Sequence, residues 1–177
     1  MSNSQPPEPQ HIDDPQEAAR VLAEKIKGVR FATFTTVSAD GSLHGRPMAT
    51  QEAEFDGDLW FFTYNDSQKV TDIAANPQVH LGFNDPGKNL WVDVSGTAER
   101  VDDRAKMREL WAPPLKAFFP DGVDDPNLTL LKVTPSRAEY WDGPSSGIGK
   151  AVAFARTLAS GGKTPPGKDV KLDLEGQ

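Results

Sequence analysis

The chain has 177 residues, a formal net charge of −7, 37% hydrophobic residues and no cysteine. That is enough for one domain with tails, and too acidic for nucleic acid or an anionic membrane surface to be the main partner. The missing cysteines remove disulfides, thiolate catalysis and zinc–sulfur sites; no apolar run approaches the ~20 residues of a membrane span, and no basic-then-apolar start marks a signal peptide, so a cytoplasmic location is expected.

Residues 1–14, rich in Ser, Gln, Pro and Asp, read as a mobile tail. Helical spacing over 12–26 (Ile12, Ala18, Val21, Leu22, Lys25, Ile26) predicts a helix that Gly28 ends. Residues 29–37, with Phe31, Thr33, Phe34, Thr35, Thr36 and Val37, predict a strand. Asp40-Gly41 turns the chain into a strand over 43–52, and Asp56-Gly57 turns it into Leu59-Trp60-Phe61-Phe62-Thr63-Tyr64, so the three strands are expected to form an antiparallel meander. A short helix is predicted over 67–76, stopped by Asn76-Pro77. Val79, Leu81 and Phe83 share one face of a strand over 79–84, and Leu90, Val92 and Val94 share one face of a strand over 89–100, where Gly96 marks a bulge or a close backbone approach. Asp102 is expected to cap a helix to Trp111. Residues 128–133 and 138–141 predict a last strand pair or one long broken strand, and 146–159 predict a helix with Ile148, Val152 and Leu158 apolar. Residues 160–177, rich in Gly, Pro, Lys and Asp, read as a second mobile tail. Some six strands and a few short helices in one domain suggest a small antiparallel barrel.

Chemistry concentrates in one stretch. Arg46 sits on a strand, and Asn65-Asp66-Ser67-Gln68-Lys69 opens a helix, whose free N–H groups attract anions. Ser67 can donate a hydroxyl and Lys69 a charge to a phosphate. The other reading is that Asp66 or Ser67 merely caps the helix while Arg46 and Lys69 are solvated, and capping residues of this kind are routine. Trp60, Phe61 and Phe62 are consecutive, so they point to both faces of their strand, and burial on both sides is the plain reading. His11, His44 and His80 do not have metal-ligand spacing, so no metal is expected. Asp102-Asp103 and Asp124-Asp125 fall at caps and turns. Gly147-Ile148-Gly149-Lys150 lacks the first half of a P-loop.

The order of these elements resembles the FMN-binding split β-barrel family related to pyridoxamine 5′-phosphate oxidase, within it the general stress protein 26 type. The resemblance covers about residues 15–145 and rests on Gly45-Arg46-Pro47-Met48, Leu59-Trp60-Phe61-Phe62-Thr63, Ser67-Gln68-Lys69-Val70, Asn76-Pro77, Ser95-Gly96-Thr97-Ala98-Glu99, Phe119-Pro120-Asp121-Gly122 and Glu139-Tyr140-Trp141-Asp142-Gly143. It implies a mainly β fold with flanking short helices, a six-stranded antiparallel split β-barrel over 15–145, and a homodimer with two FMN sites at the interface, FAD being the alternative ligand. It implies that Arg46, Pro47 and Met48 line the flavin, Arg46 also reaching its phosphate; that Phe62 and Thr63 contact the ring; that Ser67 and Lys69 bind the 5′-phosphate; that Trp91 stands near the flavin; and that Trp141 closes the site from the other subunit. The chain departs from the oxidase at Gln51, where a lysine serves the substrate, and at Ile148-Gly149-Lys150-Ala151-Val152, which replaces an Arg-x-His word. The flavin residues are thus expected without those for pyridoxamine 5′-phosphate. The functions implied are a flavin protein of stress defence, an NAD(P)H-dependent flavin reductase or small-molecule oxidase, or a non-enzymatic flavin store or sensor; a structural domain without cofactor is the remaining alternative.

Overall fold

The computed structural model describes residues 9–51, 55, 57–161 and 166–175. In chain order they form β1 (Gln10–Ile12), α1 (Pro15–Ile26), β2 (Phe31–Val37), β3 (Leu43–Ala49), β4 (Leu59–Tyr64), α2 (Gln68–Ala75), β5 (Gln78–Asp85), β6 (Leu90–Val101), α3 (Arg104–Leu110), a 3-10 turn (Pro113–Ala117), β7 (Leu128–Asp142), α4 (Gly147–Ala159) and β8 (Lys168–Asp173). The strands make one sheet in the order β1-β8-β7-β6-β5-β2-β3, with β4 paired to β7 beside this path. The β1–β8 pair is parallel and the other pairs are antiparallel.

Helix starts follow local chemistry. Asp14 caps α1 by accepting from the Glu17 amide at 2.8 Å, with Pro15 at the first helical position. Asp103, not Asp102, caps α3 by accepting from the amides of Ala105 and Lys106.

The sheet encloses two cores. One gathers Phe34, Phe61, Leu81, Phe83, Val92, Val94, Leu131 and Val133 on the inner face, under Ala18 and Leu22 of α1. The other gathers Phe62, Leu128 and Leu130 against Met107 and Leu110 of α3 and against Leu115 and Phe119. β4 lies between them: Phe61 faces the first core and Phe62 the second, so the consecutive aromatics are buried on both sides. Gly96 marks a register shift between β6 and β7, and a Cβ there would sit 2.3 Å from the Thr134 carbonyl oxygen, which is the close approach its position predicted.

Three expectations need correction. The sheet has eight strands and stays open, rather than closing as a six-stranded antiparallel barrel; among the described residues β1, β3 and β4 each pair on one side only. The meander also fails, because β4 pairs with residues 128–133 of β7 and not with β3. The physical reason is burial: β4 needs a neighbour that is apolar on both faces, and Leu128, Thr129, Leu130 and Leu131 provide one. β7 is one continuous strand, the second of the two readings offered above. The tails fail next: β1 and β8 belong to the sheet, and Val170, Leu172 and Leu174 are buried. Their alternation with Lys171 and Asp173 is a half-buried strand pattern that the polar composition concealed. The helix predicted over 146–159 does form, as α4, and its apolar residues lie in solvent. Glu52 and Asp56 lie outside the described residues. Among those residues, no helix is long and apolar enough to cross a membrane.

Candidate cationic site at the start of α2

Residue alternation along β3 sends Arg46 and Met48 to the inner face, where they are register partners of Phe34 and Ala32. The guanidinium is half-buried. Its Nη1 donates to Thr36 Oγ1 at 2.8 Å, and its Nη2 lies 3.8 Å from Asp72 Oδ2. Asp72 arrives from α2 and is 2% exposed. Its carboxylate accepts from Thr36 Oγ1 at 2.7 Å, Gln68 Nε2 at 3.0 Å and Ser38 Oγ at 3.3 Å. The bond from Gln68 is foremost in holding the Asp72 carboxyl below the usual range; those from Thr36 and Ser38 and the nearby Arg46 charge add to it, and together they outweigh burial. Asp72 therefore stays ionised and fixes Arg46 through Thr36.

Lys69 has no such counter-charge. Its Nζ donates to Thr63 Oγ1 at 3.0 Å, and no carboxylate among the described residues lies within ion-pair distance of it. Burial, and after it repulsion from Arg46, pulls the Lys69 pKa below that of an ordinary lysine. Thr63 Oγ1 also lies 3.1 Å from Ser67 Oγ. Ser67 holds the N-cap position of α2 but makes no side-chain capping bond, so the bland capping reading of this serine fails. In the first turn of α2 the Val70 amide donates to the Ser67 carbonyl at 3.0 Å, and a helix start leaves its other leading amides without intrahelical acceptors. Arg46 and Lys69 against the single carboxylate of Asp72, with the Thr63 and Ser67 hydroxyls at the helix start, give the cluster a net positive charge, which suits an anion with several acceptor oxygens.

The structure divides the predicted residues into three groups. Arg46, Thr63, Ser67 and Lys69 converge on this cluster, and Met48 lies on the same inner face. Pro47, Trp91 and Trp141 lie on the outer face; Trp91 and Trp141 are register partners and partly exposed. Phe62 is the correction: its side chain is packed in the second core, edge-on to Trp111, and does not face the cluster. Asp72, Thr36, Ser38 and Gln68 went unrecognised in the sequence. The one local signal was Gln68 and Asp72 at i and i+4, a spacing that places an amide beside a carboxylate on one helix face.

Comparison with known proteins follows the same lines. Residues 17–165 match the family model described as pyridoxamine 5′-phosphate oxidase like. The chain is 31% identical to protein bli-3 of Neurospora crassa over 150 residues, covering 79% of this chain and 72% of that protein. It is 32% identical to general stress protein 26 of Bacillus subtilis over 97 residues, covering 51% and 68%. Among solved structures it is similar to the general stress FMN/FAD binding protein of Xanthomonas citri, with a TM-score of 0.63 and 29% identity over 74% of this chain and 92% of that one.

Proposed function

The chain belongs to the pyridoxamine 5′-phosphate oxidase-like family, and on that premise we propose that it is a homodimeric FMN-binding redox protein of the general stress type. The observation that carries this reading is Lys69: half-buried, opposed by Arg46, and without a carboxylate partner among the described residues. Burying an ammonium beside a guanidinium is unfavourable unless an anion joins them. A phosphate monoester carries about −1.5 to −2 charges at neutral pH and three acceptor oxygens, which fit Arg46, Lys69, Ser67 and the first amides of α2. Thr63 and Met48 lie beside that phosphate end. Trp91 and Trp141 lie on the outer face, away from their own cluster, and take no part in this phosphate end. The name of the Xanthomonas citri protein supports a flavin as the ligand.

When bound, the flavin supplies the hydride and electron chemistry. The chain's own residues hold the phosphate, orient the ring and limit water around it; none is assigned a catalytic role. The proposal includes loss of the oxidase's substrate residues, supported by Gln51, which stands where the oxidase has a lysine and donates to the carbonyl of Ala49, and by exposed helix α4 at the place of the Arg-x-His word. The test is the visible absorbance spectrum of the protein, first with added FMN and then anaerobically with NADPH. Perturbed flavin bands support binding, and rapid bleaching assigns an NAD(P)H-dependent reductase. A free-FMN spectrum under all conditions overturns the reading.

A further inference from the structure

α4 is built inside out. Gly149, Ala153, Thr157 and Ser160 turn toward the chain, and a cavity of about 430 Å³ lies between Ala153 and Arg156 on one side and Asp142 and Lys168 on the other. The apolar stripe turns away: Ile148 is 82% exposed, Val152 53%, Phe154 63% and Leu158 66%, and no residue of the helix is buried. Isolated helices shorter than ~12–15 residues are marginal in water, and two glycines weaken this one further. Something must cover it.

The same chain has a matching uncovered surface. Asn84, Trp91, Trp141 and Asp169 are successive register partners across the outer face, and Phe31 falls level with Asn84 because Ala32 pairs with Phe83. Phe31 is 49% exposed and stands edge-on to Phe118, itself 53% exposed. Five strands at ~4.8 Å spacing span about 19 Å. α4, with 13 residues, is about 20 Å long at ~1.5 Å per residue. The charges also fit. α4 carries Lys150 and Arg156 and no acid, whereas Asp169, Asp93 and Glu139 cluster about the row with Lys171 as the opposing charge. Burial first, and Asp169 after it, pushes the Glu139 carboxyl up, with Lys171 opposing.

We infer that α4 is an arm that packs across the Phe31–Trp91–Trp141 row of a second copy's outer sheet face, each copy giving one arm and receiving one. This rests on the homodimer proposed above and names the contact that forms it. An anionic bilayer would also attract a basic apolar helix, but the body, which gives the chain its net charge of −7, is repelled by such a surface. A closed two-fold exchange covers both surfaces at once.

The absence of cysteine makes the test clean. Ala155→Cys on α4 and Asn84→Cys on the row are exposed substitutions that leave the core intact. Chains carrying one or the other are mixed, allowed to exchange and treated with a short bismaleimide. A covalent dimer of unlike chains is expected, together with at least a tenfold rise in the dimer dissociation constant for Phe154→Glu/Leu158→Glu. No unlike-chain product, links only between two α4 helices, or a monomer that pellets with phosphatidylglycerol vesicles overturns the inference. FMN titration of the same samples separates the two claims: binding without cross-linking removes the arm alone, and cross-linking without binding removes the flavin reading alone.

Discussion

Replacing Lys69 by methionine keeps the stem and removes the charge. In the ligand-free protein the ammonium donates only to Thr63, while burial and Arg46 disfavour it. Losing one neutral-acceptor hydrogen bond costs ~0.5–1.5 kcal/mol and relief of the strained charge offsets it, so stability should stay within about 1 kcal/mol of wild type. FMN binding should change far more. A unit charge pair at ~4 Å is worth up to ~4 kcal/mol at an effective dielectric constant near 20, and hydrogen bonds to charged groups measure ~1.5–3 kcal/mol. A net loss of about 2 kcal/mol is expected, roughly 30-fold in Kd, with riboflavin affinity unchanged within about twofold. The pH profile gives an independent check. The free-state pKa of Lys69 is lowered and bound phosphate raises it, so FMN affinity is full below the free-state value and falls as pH rises through it. That fall should vanish in Lys69→Met. Fluorescence titrations with FMN and riboflavin across the alkaline range measure both effects. Equal losses for the two ligands, or an unchanged FMN Kd, would refute the reasoning.

Ser67→Ala should barely alter stability, by less than ~0.5 kcal/mol against the usual ~1 for losing a cap, because Ser67 makes no capping bond; it should weaken FMN by roughly threefold to tenfold, and a melting curve shifted as for a lost cap would argue against this. Asp72→Asn should cost ~1–3 kcal/mol in urea unfolding and loosen Arg46, weakening FMN more than riboflavin. The wild-type contribution of Asp72 is present above its unfolded pKa near ~3.9 and is lost as pH falls through the lowered folded value, so the two proteins should converge in stability at strongly acid pH; a constant gap would sink the assignment. Gly96→Ala should destabilise by ~1–3 kcal/mol, since its Cβ would stand 2.3 Å from the Thr134 oxygen and 2.9 Å from Pro135 Cα, and wild-type stability would contradict the bulge geometry.

What the sequence revealed was local. Period and turn chemistry located α1, the β2–β3 hairpin across Asp40-Gly41, β4, α2, β5 and β6 within a few residues, because each is written in neighbouring side chains. The pairing of β4 with β7 was not legible. Its cause, two strands apolar on both faces, sits in residues about seventy positions apart, and a nearby turn signal outweighed it. β8 was legible in Val170, Leu172 and Leu174 but was hidden by the charges and glycines around it. At the cationic site, Arg46, Ser67 and Lys69 could be named from a strand and a helix start. Asp72 could not: its one local partner is Gln68, and its other hydrogen bonds come from Thr36 and Ser38 on another strand and at its end. The fate of α4 was invisible for a different reason: its apolar spacing is the same whether it covers its own sheet or another copy's.

The central claim is that this cluster recognises a phosphate attached to a flavin. Titrating the wild-type protein with FMN and with riboflavin under identical buffer and salt tests it most directly. On that claim Arg46, Ser67, Lys69 and the α2 amides would act on FMN alone, so FMN should bind at least tenfold more tightly, a difference of ~1.4 kcal/mol or more. Equal affinities for the two ligands would contradict it.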